Sequence, residues 1–113
     1  MSIKEWSEDI YIVELSDDPQ FTDDITALME RMDEKPRDTV LNFGAVGFVN
    51  SSNIARLLRL RKLMISKDKR LLFSDVNSQV WGVFLVTGLD KIFEFTKDVS
   101  TSLAMLQIEN GNA

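Results

Sequence analysis

Four small polar residues, Asn50-Ser51-Ser52-Asn53, separate the apolar stretch ending at Phe48-Val49 from the run Ile54, Leu57, Leu58. Two chemistries suit hydroxyls and carboxamides in that setting. The first is structural: Asn50, Ser51 or Ser52 caps a helix by accepting a backbone N–H, an interaction worth about 1 kcal/mol. The second is regulatory. A helix N-terminus presents unpaired N–H groups and a partial positive charge, so a hydroxyl there can carry phosphate without breaking its own domain. Phosphate adds about −1.5 to −2 charges at neutral pH, and at a packed protein contact those charges must be desolvated or meet like charge. Spacing alone leaves both readings open. Arg56 and Arg59 follow closely and could hold a phosphate or an acidic partner, or simply solvate a helix face.

Other chemistry is bounded by what the chain lacks. It has no histidine and no cysteine, so serine-histidine-acid and cysteine-histidine nucleophile systems cannot be assembled, nor can the common zinc sites. Neither GxxxxGK[ST] nor GxGxxG occurs, which removes the usual glycine-rich phosphate cradles. Carboxylates cluster in the N-terminal third, on solvent-type positions ill suited to paired-acid catalysis. The expectation is a binding protein and not an enzyme, with no cofactor and no metal.

The serine pair must be positioned by elements that the apolar periodicity marks out. Ile10 to Leu15 suits a strand, paired with a shorter one near Ile3 to Trp6 across Ser7-Glu8-Asp9. From Phe21 to about Met32, Ile25, Leu28, Met29 and Met32 recur at helical spacing after Asp17-Asp18-Pro19 ends the strand. Thr39 to Phe43 is a strand entering a loop over Gly44 to Val49. A second helix is expected from Ile54 to about Ile65, with Ile54, Leu57, Leu58 and Met64 or Ile65 as its apolar stripe. Leu71 to Phe73 is a strand, Ser78 to Thr87 a helix stopped by Gly88, Lys91 to Phe95 a last strand, and Asp98 to about Gln107 a final helix capped by Ser100 or Asp98. Strands alternate with helices, so the sheet should be mixed and largely parallel in its later part.

Length and charge agree with one domain over residues 1–113. With 44% hydrophobic residues, a chain of this size can bury roughly 65% of the surface its unfolded form exposes. The absence of cysteine fits a reducing cytoplasm, and no apolar run approaches the roughly 20 residues that span a bilayer. The net charge of −5 is unevenly spread: residues 1–38 hold 12 of the 18 acids, whereas residues 56–70 hold seven of the 13 bases. The acidic remainder would repel nucleic acid at long range, so the basic segment reads as a solvated helix face.

Two separated blocks carry a family resemblance. The run Val40-Leu41-Asn42-Phe43-Gly44-Ala45-Val46-Gly47-Phe48-Val49-Asn50-Ser51-Ser52-Asn53, followed by an internal strand and by Val80-Trp81-Gly82-Val83-Phe84-Leu85-Val86-Thr87-Gly88-Leu89, resembles the STAS domain of bacterial anti-sigma factor antagonists. That family shows a loop ending in Phe-Ile-Asp-Ser-Ser-Gly-Leu, then helix, strand, and a helix ending in Thr-Gly-Leu. The resemblance implies an α/β fold with a mixed sheet of about four to five strands and helices mainly on one face. It also implies a function. An anti-sigma factor serine kinase phosphorylates the serine after the acidic position, here Ser51 with Ser52 as the neighbour, and the phosphorylated form releases that kinase; a phosphatase is the second implied partner. Asn50 stands where the family has aspartate and Asn53 where it has glycine. Ser16 to Gln20, including Asp18, replaces another kinase-facing segment. The expected contact surface is Asn50, Ser51, Ser52, Asn53, Arg56 and Asp18.

A second surface is suggested by the third helix. Val80, Val83, Phe84 and Thr87 occupy core spacing, leaving Trp81 and Leu85 on a neighbouring flank. Either the last helix or a loop covers them, or they mark a homodimer or partner contact. The remaining alternatives to a phosphorylation switch are a scaffold of the same fold that associates without phosphorylation, and a soluble STAS subunit docked on a membrane lipid transporter without inserting itself.

Overall fold

Isoleucine, tyrosine and valine crowd Ile10 to Val13, residues that suit a pleated surface buried on both sides, and this segment becomes the second strand of a five-stranded sheet. The structure, a computed structural model, describes residues 2–111. Its strands are β1 (Ile3–Glu5), β2 (Ile10–Ser16), β3 (Asp38–Ala45), β4 (Leu71–Ser74) and β5 (Glu94–Thr96), in spatial order β1-β2-β3-β4-β5. Only β1 runs antiparallel to its neighbour; the other pairs are parallel. The helices are α1 (Gln20–Glu34), α2 (Ser51–Ser66), α3 (Ser78–Thr87) and α4 (Val99–Glu109).

Alternation along the strands divides the core in two. Tyr11, Val13, Leu15, Leu41, Phe43 and Phe73 point to the face covered by α1, α2 and α3, where they meet Phe21, Leu28, Leu57, Leu60, Val80 and Phe84. Ile10, Val40 and Leu72 point the other way and are covered by Leu106 of α4, with Val99 and Leu103 packed alongside. Three helices therefore share one face, and the fourth closes the opposite one. At the centre of the larger core Phe73 stacks on Phe93 at 4.5 Å and on Phe43 at 4.9 Å. Among the described residues no helix is long and apolar enough to cross a membrane.

Several boundaries differ from the sequence expectation. Helix α2 starts at Ser51, a turn before Ile54, because Asn50 caps it. Its buried row is Asn53, Leu57, Leu60 and Met64, while Leu58 and Ile65, rotated off that row, are exposed. Gly88 does end α3 in the left-handed region, at φ 76°. The expected strand Lys91 to Phe95 is split: Leu89–Lys91 forms a 3-10 turn and β5 begins only at Glu94, opposite Leu72. That offset lets Phe93, ahead of the strand, turn inward onto Phe73. Thr87, expected in the core row of α3, is exposed and bonds back to the Val83 and Phe84 carbonyls.

Candidate partner-binding site

The cap is reciprocal. Asn50 is extended (φ −109°, ψ 177°), and its side-chain oxygen accepts the Asn53 backbone N–H at 2.8 Å while Asn53 Oδ1 accepts the Asn50 N–H at 3.0 Å. Two asparagines thus build the motif usually made by serine or threonine with glutamate. Within the serine motif these are the two positions that differ from the family pattern, and each has its hydrogen-bond partner in the other.

Asn53 also reaches outward from its buried position. Its Nδ2 donates to Asp18 Oδ2 at 2.8 Å, and Asp18 Oδ1 accepts from the Thr22 N–H at 3.0 Å and the Thr22 hydroxyl at 2.7 Å. Beside it, Asp17 Oδ1 accepts the Gly47 N–H at 2.9 Å. Two neighbouring aspartates therefore tie the turn before α1 to the loop before α2. The Asp18 carboxyl is held below the ordinary carboxylate value of 3.8, first by the Asn53 amide and then by the Thr22 hydroxyl, against a smaller opposing effect of burial.

Within this frame Ser51 and Ser52 are exposed at the first two helical positions. Neither hydroxyl bonds to another of the described residues; the Asn50–Asn53 pair does the capping. A phosphoryl group on either oxygen would meet the positive end of α2 and solvent, with no internal hydrogen bond to break. Arg56 is half-buried, and its Nε has no hydrogen-bond partner among the described residues. Arg59 is exposed. The structure thus brings Asp18, Asn50, Ser51, Ser52 and Asn53 to one place, with Arg56 one turn along the helix.

Phe48 is a surface residue that sequence reasoning used only as a motif match. It lies between Val46 and Val49, both buried, yet is itself 68% exposed. A shallow hollow of about 230 Å³ adjoins it, lined by Gly47, Val49, Gln79, Val80 and Val83. Trp81, by contrast, is partly covered, its ring set edge-on to Phe95 at 5.0 Å. Leu85 is half exposed and Val86, which the sequence reading passed over, is 89% exposed.

Comparison with known proteins agrees with this architecture. The family model for the STAS domain matches residues 4–102, and the chain belongs to that family. Among solved structures it is similar to a Thermotoga maritima protein assigned as an anti-sigma factor antagonist, with a TM-score of 0.82 at 14% identity over 93% of this chain and 92% of that one. A STAS domain (anti-sigma factor antagonist) protein from Planctomyces limnophilus gives a TM-score of 0.78 at 15% identity over 91% and 94% of the two chains. A serine-to-glutamate variant of RsbS from Moorella thermoacetica gives 0.77 at 14% identity over the whole of both. At these identities the likeness is one of fold. No curated protein matches in sequence.

Proposed function

We propose that this STAS domain acts by binding protein, as an anti-sigma factor antagonist whose contact with an anti-sigma serine kinase is controlled by phosphorylation of Ser51. The observation that carries the reading is the pair of exposed, unbonded serine hydroxyls at the tip of a helix that is already capped by Asn50. Phosphate added there leaves the fold intact, while the same charge at a docked surface costs desolvation and repels acidic groups. The bound state then responds to modification and the folded state does not. Structural neighbours assigned as anti-sigma factor antagonists support the class of partner.

A second reading is favoured by Asn53. Its side chain is occupied by the cap and by Asp18, in the place where the family motif carries a glycine, so the helix start is tied to the turn before α1 in a way that the motif's glycine does not allow. A scaffold of the same fold that associates without phosphorylation would accommodate this. Pull-down from the native cell extract with wild type, Ser51→Ala and Ser51→Asp, followed by phosphopeptide mass spectrometry, separates the two. A kinase-like partner held by wild type and Ser51→Ala but lost with Ser51→Asp supports the switch. Equal binding by all three, or phosphate found only elsewhere, refutes it and leaves the scaffold.

A further inference from the structure

The C-terminal end of α2 meets the starts of β4 and β5 around a cavity of about 170 Å³. It lies at the far end of the sheet from the serines: β3 and β4 are parallel, so the end of β3 that leads to Asn50 is remote from Leu71, where β4 begins. Buried Met64 and Phe93 supply its inner lining, and Ile65 and Ile92, 59% and 43% exposed, its outer lining. Three cations share the wall with them. Arg70 is held by Glu94 through two hydrogen bonds of 3.1 and 2.6 Å, and by Glu109. Arg61 and Lys69 have no acidic partner among the described residues, and the nearest acid on α1 to form an ion pair with this end of α2, Asp33, is engaged by Lys67 at 3.8 Å. Yet both are half-buried, unlike the exposed Arg59 and Lys62. Their stems lie along apolar surface and leave two charged heads at its edge.

We propose that this cavity binds a small organic carboxylate, its apolar body against Met64, Phe93, Ile65 and Ile92 and its anionic head between Arg61 and Lys69. Size sets the body: an apolar cavity of about 150 Å³ takes a benzene ring, so this one takes a ring or a short alkyl chain. Charge sets the head. The chain carries a net −5, but residues 56–70 hold seven bases against Asp68 alone, so the field at this end of the molecule is locally positive. The carbonyls at the end of α2 do not oppose an anion, because Leu63, Met64 and Ile65 accept from the N–H groups of Lys67, Asp68 and Lys69. Glu94 is neutralised by its paired contact with Arg70. A protein partner fits less well: two exposed isoleucines are far short of the about 800 Å² that each side of a stable interface covers. This site does not depend on phosphorylation of Ser51.

Titration of the isotope-labelled chain with phenylacetate, followed by NMR, tests the proposal. Saturable shifts are expected at the amides of Ile65, Leu71 and Ile92, with a Kd of about 1 mM or below, and none at Ser51 or Ser52. Phenylethanol, with the same carbon skeleton and no charge, and acetate, with the charge and no ring, should each bind about tenfold more weakly. Arg61→Gln and Lys69→Gln remove heads that bond to nothing else described, so the melting temperature should not change. Each should weaken phenylacetate about three- to tenfold and leave phenylethanol unaffected. Ile92→Ser, at an exposed position, should weaken acid and alcohol alike. Shifts that stay linear to about 20 mM, alcohol bound as tightly as acid, or glutamine variants that bind phenylacetate like wild type would each overturn the proposal. Sedimentation with phosphatidylglycerol vesicles that Arg61→Gln abolishes, without saturable phenylacetate binding, would overturn it in favour of a lipid-surface contact.

Discussion

Asn53 Nδ2 and Asp18 Oδ2 are 2.8 Å apart, joining the first turn of α2 to the turn before α1 across 35 positions of sequence. Asn53 also closes the cap with Asn50, so one buried carboxamide fixes both the start of the helix and its seat against the neighbouring turn. The serines are displayed by a rigid corner rather than a loose loop. Asn53→Ala should destabilise the domain by about 1–2 kcal/mol, the combined effect of an opened cap and a lost hydrogen bond to a carboxylate. Asp18→Ala should cost less, since that carboxylate is exposed. In a double-mutant cycle read by urea denaturation, the pair should be non-additive by about 0.5 kcal/mol or more. Strict additivity would mean that the 2.8 Å contact contributes nothing.

Acid should report on the same corner. The Asp18 carboxyl is depressed below 3.8 by the Asn53 amide first and the Thr22 hydroxyl second. A carboxyl with a lower pKa in the folded than in the unfolded state contributes stability that is fully present above its unfolded value and is lost as pH falls through the folded one. The stability gap between wild type and Asp18→Asn should therefore be constant from neutral pH down to about 5 and close progressively below 3.8. Urea midpoints at stepped pH test this. A gap that persists unchanged at pH 2 would assign the effect of Asp18 to shape rather than charge.

Ser51→Asp and Ser52→Ala should both leave stability within about 0.5 kcal/mol of wild type, because neither side chain is buried or bonded. Aspartate in the first turn should even be slightly favourable, facing the positive end of α2. Thermal melts in low and high salt suffice to check it. A loss above about 1.5 kcal/mol for Ser51→Asp would mean that the hydroxyl supports the fold, and partner loss in that variant would then say nothing about a switch.

How far the sequence disclosed this site depends on the residue. Element order followed from apolar periodicity, and Gly88 as a helix stop from its position after Thr87. The serine pair was visible through motif spacing, as was the choice among three capping candidates, but not its outcome. That outcome turned on Asn53 returning a hydrogen bond to Asn50, a reciprocity for which an Asn–Asn pair gives no strong sequence signal. The link from Asp18 to Asn53 joins residues far apart in the chain, so no local pattern encodes it. Leu58 and Ile65 fit a helical stripe as well as Leu60 does; only the turn at which α2 begins, and its angle on the sheet, decides which row faces inward. The aromatic centre was likewise hidden, since Phe93 reads as part of a strand and reaches Phe73 only because a 3-10 turn delays β5.

Phe73 concentrates that hidden packing. It is fully buried, stacked between Phe93 and Phe43, and has the rings of Phe95 and Phe84 at 5.3 and 5.9 Å. Removing it deletes one large side chain and leaves four others without a common neighbour, so Phe73→Ala should cost about 3–5 kcal/mol. A domain stable by about 5–15 kcal/mol would be left marginal or partly unfolded. Phe73→Leu, which keeps much of the volume, should cost distinctly less. Urea denaturation of the two variants separates cavity formation from aromatic contact: near-equal losses would assign the stability to ring stacking, whereas a large gap would assign it to filled volume. The second result is expected, because area and volume terms of several kcal/mol exceed the about 0.5–1.5 kcal/mol that an aromatic pair adds beyond its burial.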